Sequence, residues 1–151
     1  MGLNAARFFS LLFAALALAP ALAHLLELPN KIGLSRDDYL IVQQIYRGWA
    51  LLGFVVAGAL LSTLVLMIMV RGRRKAFVLT LVALLCIVST QVVFWTFTYP
   101  ANRQTDNWTV LPQSWMALRA QWEYSHAASA VLNLIALIAL ILSVLVRDKP
   151  E

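Results

Sequence analysis

Apolar positions fall in four long runs separated by short polar segments: about Ala5 to Leu28, Gly48 to Val70, Ala76 to Tyr99 and Ala127 to Val146. A hydrocarbon core of ~30 Å takes about 20 apolar residues of helix, so each run predicts one span. The expected fold is all-α, a polytopic membrane protein built as a bundle of four transmembrane helices. The chain reads as one domain over residues 1–151, with spans at about 5–28, 48–70, 76–99 and 127–146 and outer segments at 29–47 and 100–116.

The outer segments carry helix-start signals. Ser35-Arg36-Asp37-Asp38 offers a cap with an acid three residues on, which predicts that the second helix begins near Asp37 in the aqueous layer and enters the membrane around Arg47. Pro112-Gln113-Ser114 opens a helical pattern through Trp115, Arg119, Trp122 and His126 into the fourth span. At the N-terminus, Arg7, the apolar stretch Phe8 to Leu18 and Ala21-Leu22-Ala23 have the form of a secretory signal with a cleavage site. The apolar run continues through Leu28, longer than a signal requires, and favours an uncleaved first helix.

Charge orients these spans. Arg71, Arg73, Arg74 and Lys75 lie between the second and third runs, Arg147 and Lys149 follow the fourth, and Arg7 precedes most of the first. One side thus collects seven basic and two acidic residues, the other five of each. Basic residues near span ends collect on the cytoplasmic side, so both termini are expected there. The net charge of +5 is explained by topology, and no nucleic-acid partner is expected. With 62% apolar and 13% charged residues, a soluble domain is nearly excluded. The single cysteine, Cys86, sits inside an apolar run, which leaves no disulfide framework, Cys-rich zinc site or Cys-x-x-Cys centre.

Candidate chemistry gathers at the outer end. All five Trp and all four Tyr fall in the outer loops or outer halves of the spans, either as a one-sided interfacial belt or as the wall of a pocket. Both histidines share this layer, as His24-x-x-Glu27 on the first helix and Glu123-x-x-His126 on the fourth. The two helices run in opposite directions, so the reversed motifs put both imidazoles at one depth and both carboxylates about a turn nearer water. If those faces meet, His24, Glu27, Glu123 and His126 suit one transition metal or a proton relay. The alternative is structural: Arg119 and Glu123, four apart, pair along the helix, and Glu27 is an interfacial acid. Asn133 and Gln91, about 12 Å inside their outer ends by helical rise, would be interhelical glue or the pocket floor.

Pro100-x-Asn102, then Trp115, Leu118-Arg119, Trp122 and His126, with His24 and Glu27 closing the first helix, resemble the outer-loop signature of the anthrone-oxygenase-like family of small four-span membrane proteins. Where many relatives have a basic residue, this chain follows His126 with Ala127-Ala128-Ser129. The resemblance implies oxidation of an anthrone to an anthraquinone by molecular oxygen, apparently without an organic cofactor. The cofactor expectation is therefore none, or one transition metal. In this scheme His126 is the base, its ordinary pKa lying near neutrality, and Arg119 or Asn102 stabilises the enolate oxygen. Glu123 orients the pair, and Trp115, Trp122 and Trp108 line the slot. The partners expected are the lipid bilayer and a small apolar aromatic or quinone-type ligand. Small residues Gly53, Ala57, Gly58 and Ser62 are compatible with a homo-oligomer. The location expected is a bacterial inner membrane with the site on the periplasmic side. The competing class is a non-catalytic metal- or ligand-binding membrane protein, or an accessory subunit of a membrane complex.

Overall fold

The computed structural model describes residues 2–146, so Arg147 and Lys149 of the charge pattern lie outside the described residues. Six α-helices follow in order: α1 Leu3–Lys31, α2 Arg36–Gln43, α3 Leu52–Met69, α4 Arg74–Val93, α5 Tyr99–Gln104 and α6 Trp115–Leu145. Four helical stretches, Leu3–Lys31, Trp49–Met69, Arg74–Gln104 and Trp115–Leu145, are long and apolar enough to cross a membrane. The protein is an integral membrane four-helix bundle. In it α1 and α4 each pack against both α3 and α6.

One stripe along α1 faces its neighbours: Ala6, Ser10, Ala14, Leu18, Ala21, His24 and Lys31 are its buried residues, at spacings of three, four and seven. Small side chains in its first half admit close helix contact, and the same stripe then delivers His24 and Lys31 to the opposite end. Pro29 does not end the helix as the outer-segment boundary at 29 expected; α1 continues to Lys31. At 29 residues it measures about 43 Å by helical rise, so it outruns a hydrocarbon core of ~30 Å. The 31 residues of α6 do the same.

The expectation of one helix running from Asp37 through Arg47 into the membrane is corrected. Ser35 caps α2 as its sequence indicated, accepting from the Asp38 amide at 3.3 Å. The chain then passes through 3-10 turns at Gln44–Tyr46 and Trp49–Leu51, separated by Gly48 at φ +84°. That left-handed conformation is open to glycine without steric cost and breaks the helix. The bend lays α2 across the end of the bundle and turns Tyr46 back toward α1.

A second interruption lies in the third span. Between α4 and α5 the helix widens to a π turn over Phe94–Thr98, just before Pro100. Proline has no N–H and its ring crowds the carbonyl four residues back, and a π turn is one way to absorb the crowding. Gln121 Nε2 of α6 donates to the Phe97 carbonyl at 2.7 Å, covering the disturbed turn.

Candidate functional site

At the end of the bundle away from the Arg71–Lys75 loop, the mirrored motifs of α1 and α6 face one another. The rings of His24 and His126 stack with centroids 4.1 Å apart and planes inclined by 24°. Trp122 stands edge-on to both, at 5.0 and 4.2 Å. Tyr46 and Trp49 close the His24 side at 4.6 and 5.6 Å. His24 is buried and His126 half-buried, and His24 Nδ1 has no hydrogen-bond partner.

The two glutamates do not turn to the imidazoles. They share a lysine. Lys31, only 4% exposed, places its ammonium 3.4 Å from Glu27 Oε2 and 3.2 Å from Glu123 Oε1 and donates to the Tyr46 hydroxyl at 2.6 Å. Tyr46 in turn donates to Glu27, and Tyr39 donates to Glu123 Oε1 at 3.0 Å. Glu123 is fully buried, yet its Oε2 makes no hydrogen bond. Burial, then the nearby Glu123 carboxylate, pushes the Tyr39 phenol well above its ordinary range. Burial followed by the hydrogen bond to Glu27 does the same to Tyr46. Both phenols are therefore fixed as neutral donors to the carboxylates.

This arrangement changes the metal expectation. Among the described residues no three His, Cys, Asp or Glu side chains gather as a ligand group. The reason is geometric: imidazole lone pairs lie in the ring planes, so stacked rings do not aim at a common point. Glu27 and Glu123 are occupied by the Lys31 ammonium.

Arg119 does not pair with Glu123 along α6. Its guanidinium donates to the Leu34 carbonyl at 2.7 Å and lies over the rings of Trp115 and Tyr39, at 4.6 and 5.4 Å. Asn102 accepts from Trp122 Nε1 at 2.8 Å, tying α5 to α6. Gln91 donates to the adjacent Thr90 hydroxyl, and Asn133 is buried lower on α6. Among the described residues no hydrogen bond ties either amide to the histidines.

Trp108 fills the top of the cluster. It is 3% exposed and packs edge-on against Tyr39 and Trp122, at 5.1 and 5.8 Å, and its Nε1 has no partner. Asp106, Asn107 and Trp108 have φ of 46°, 53° and 64°. Three consecutive left-handed residues without a glycine are rare, and a bulky one costs ~1–3 kcal/mol of strain. Thr105 holds them: its hydroxyl accepts from the Trp108 amide at 3.1 Å, and its carbonyl accepts from the amides of Thr109 and Val110.

Lys31, Tyr39 and Tyr46 are the members that sequence reasoning missed. Lys31 stands four residues beyond Glu27 and seven beyond His24, on one helix face, a spacing that Pro29 concealed. The two tyrosines reach the site through the bent α2 connection, and no local pattern marks them. Surface depressions lie at Tyr99, Pro100, Arg103 and Gln104, and at Arg36, Leu111, Pro112, Gln113 and Trp115. Neither is lined by the histidines or Lys31. Comparison with family models, with curated proteins and with solved structures gives no match.

Proposed function

We propose that this cluster is an acid-base site for a small, flat aromatic or quinone-type molecule, and that its reaction is oxygenase-like oxidation of an anthrone-type carbon acid. The observation that carries the proposal is the stacked His24 and His126 pair, caged by Trp122, Tyr46 and Trp49 and backed by a buried ammonium shared between two carboxylates. His126 is the half-buried member and takes the carbon-bound proton. Lys31 and the neutral phenol of Tyr46 supply positive charge and a donor for the enolate oxygen, tasks that the sequence suggested for Arg119 and Asn102. The balance is one anthrone and one O₂ to one anthraquinone and one water. The carbon loses two hydrogens and gains an oxo group, and the second oxygen atom leaves as water. The basic Arg71–Lys75 loop supports a location with this end on the periplasmic side of a bacterial inner membrane.

The test is oxygen uptake and anthraquinone absorbance with anthrone and purified protein. The unmodified protein is expected to exceed the uncatalysed rate, and His126→Ala to abolish that excess while the variant still inserts and folds. Turnover retained in the folded variant removes His126 from the reaction; no excess rate in the unmodified protein rejects the reaction itself.

A further inference from the structure

Buried polar atoms without partners crowd one layer of the molecule: His24 Nδ1, Glu123 Oε2, both amide atoms of Gln43, Trp108 Nε1 and Arg119 Nε. Native interiors leave few such groups unpaired, and each one calls for an explanation. Here they surround a space that is already occupied. The occupant is an indole, flat, bicyclic and carrying one N–H, presented by a loop held in three successive left-handed conformations. The indole makes aromatic contacts with Tyr39 and Trp122 but satisfies none of the polar groups beside it.

We infer that Trp108 is a built-in plug, and that its seat against Tyr39 and Trp122 is a binding site for a flat bicyclic or larger aromatic carrying a hydroxyl or carbonyl. The inference rests on the proposed aromatic-ligand function and adds the site's location and the way it opens. Three features support displacement. The strained backbone of residues 106–108 relaxes when the loop lifts. The indole gives up no hydrogen bond when it leaves. A hydroxylated or carbonyl-bearing ring taking its place can bond to an unpartnered polar group such as Glu123 Oε2 or the Gln43 amide. The loop is anchored at Thr105 through hydrogen bonds that act as a hinge.

The experiment titrates 1-naphthol into full-length protein labelled with 5-fluorotryptophan. Fluorine resonances are followed, and Trp108 is assigned through Trp108→Phe. In the unmodified protein the Trp108 resonance is expected to move toward the solvent-exposed position as naphthol saturates. Trp108→Ala, which needs no displacement, is expected to bind about tenfold tighter or more, because the fraction of open molecules no longer limits the apparent affinity. The double variant Asp106→Gly, Asn107→Gly keeps the indole and relieves strain, and is expected to bind more weakly than the unmodified protein. A Trp108 resonance unchanged at saturating naphthol, or an affinity unchanged in Trp108→Ala, overturns the plug. Should Trp108→Ala fail to fold, the glycine variant and the fluorine shift decide alone. Every readout is binding, so a failure of anthrone oxidation with displacement intact rejects the proposed reaction and leaves the plug standing.

Discussion

At the end nearer the Arg71–Lys75 loop, the helices meet through Ala6, Ala14, Ala59, Leu66, Ala76, Ala83, Ala136, Ala139 and Leu140, a continuous cluster of small and aliphatic side chains. At the other end the core consists of Tyr39, Ala101, Trp108, Leu111, Leu118 and Trp122, with Lys31, Glu123, Arg119 and His24 buried among or beside them. The first end gains from close contact and contains little that ionises. The second spends buried volume on aromatic rings and on charges whose desolvation is compensated only by their mutual pairing. Stability is thus concentrated in one half and chemistry in the other, as is common where function requires groups a core would reject.

The contrast breaks most readily at the shared ammonium. Glu123→Ala leaves Lys31 buried with Glu27 as its only carboxylate and is expected to cost about 3 kcal/mol or more, since removing one partner of a buried pair strands the other. Lys31→Met, Glu123→Leu together are expected to recover at least half of that loss, measured by reversible unfolding in detergent. Additive losses in the pair would show that the two residues do not act as a unit.

In the small-residue half the corresponding weak point is steric. A methyl group on Gly58 would sit 2.6 Å from the Phe13 ring. Gly58→Ala is expected to destabilise the protein by ~1–3 kcal/mol through overpacking, and Phe13→Leu in that background to relieve it. An unshifted unfolding transition for Gly58→Ala would mean that α1 and α3 are not closely packed there.

The smallest effect belongs to the hydroxyl pair of the same half, where Thr80 Oγ1 and Ser143 Oγ meet at 2.8 Å between α4 and α6. Interhelical polar contacts in membrane proteins contribute about 0.6 kcal/mol on average. Thr80→Ala is expected to cost no more than about 1 kcal/mol, partly because the threonine also bonds its own helix at Ala76. A loss as large as that of Glu123→Ala would erase the distinction between the two halves.

Much of the architecture was legible because it depends on local quantities. Four apolar runs of spanning length prescribe four helices whatever their neighbours do. Ser35 caps α2 because an oxygen at that position reaches the amide three residues on. The reversed His and Glu spacing was visible as well, since helix geometry sets the relative depth of residues three apart. What those groups touch was not legible. Lys31 was hidden behind Pro29, and Arg119 has two partners within reach, of which the Leu34 carbonyl takes its guanidinium and Glu123 does not.

By itself the sequence determined the number of spans, the gathering of aromatic and ionisable residues at one end, and the stripe of α1 that bears His24. These follow from hydropathy, spacing and helical period, each a property of one segment. Only the tertiary structure decided that Lys31 neutralises both glutamates, that the histidines stack, that Tyr39 and Tyr46 enter from the bent connection, and that Trp108 fills the space above them. Each of those outcomes joins segments far apart in the chain, and depends on how α2 folds back at Gly48 and how the loop after α5 turns at residues 106–108. A side chain with several acceptors in reach is settled by packing, and packing has no one-dimensional signature.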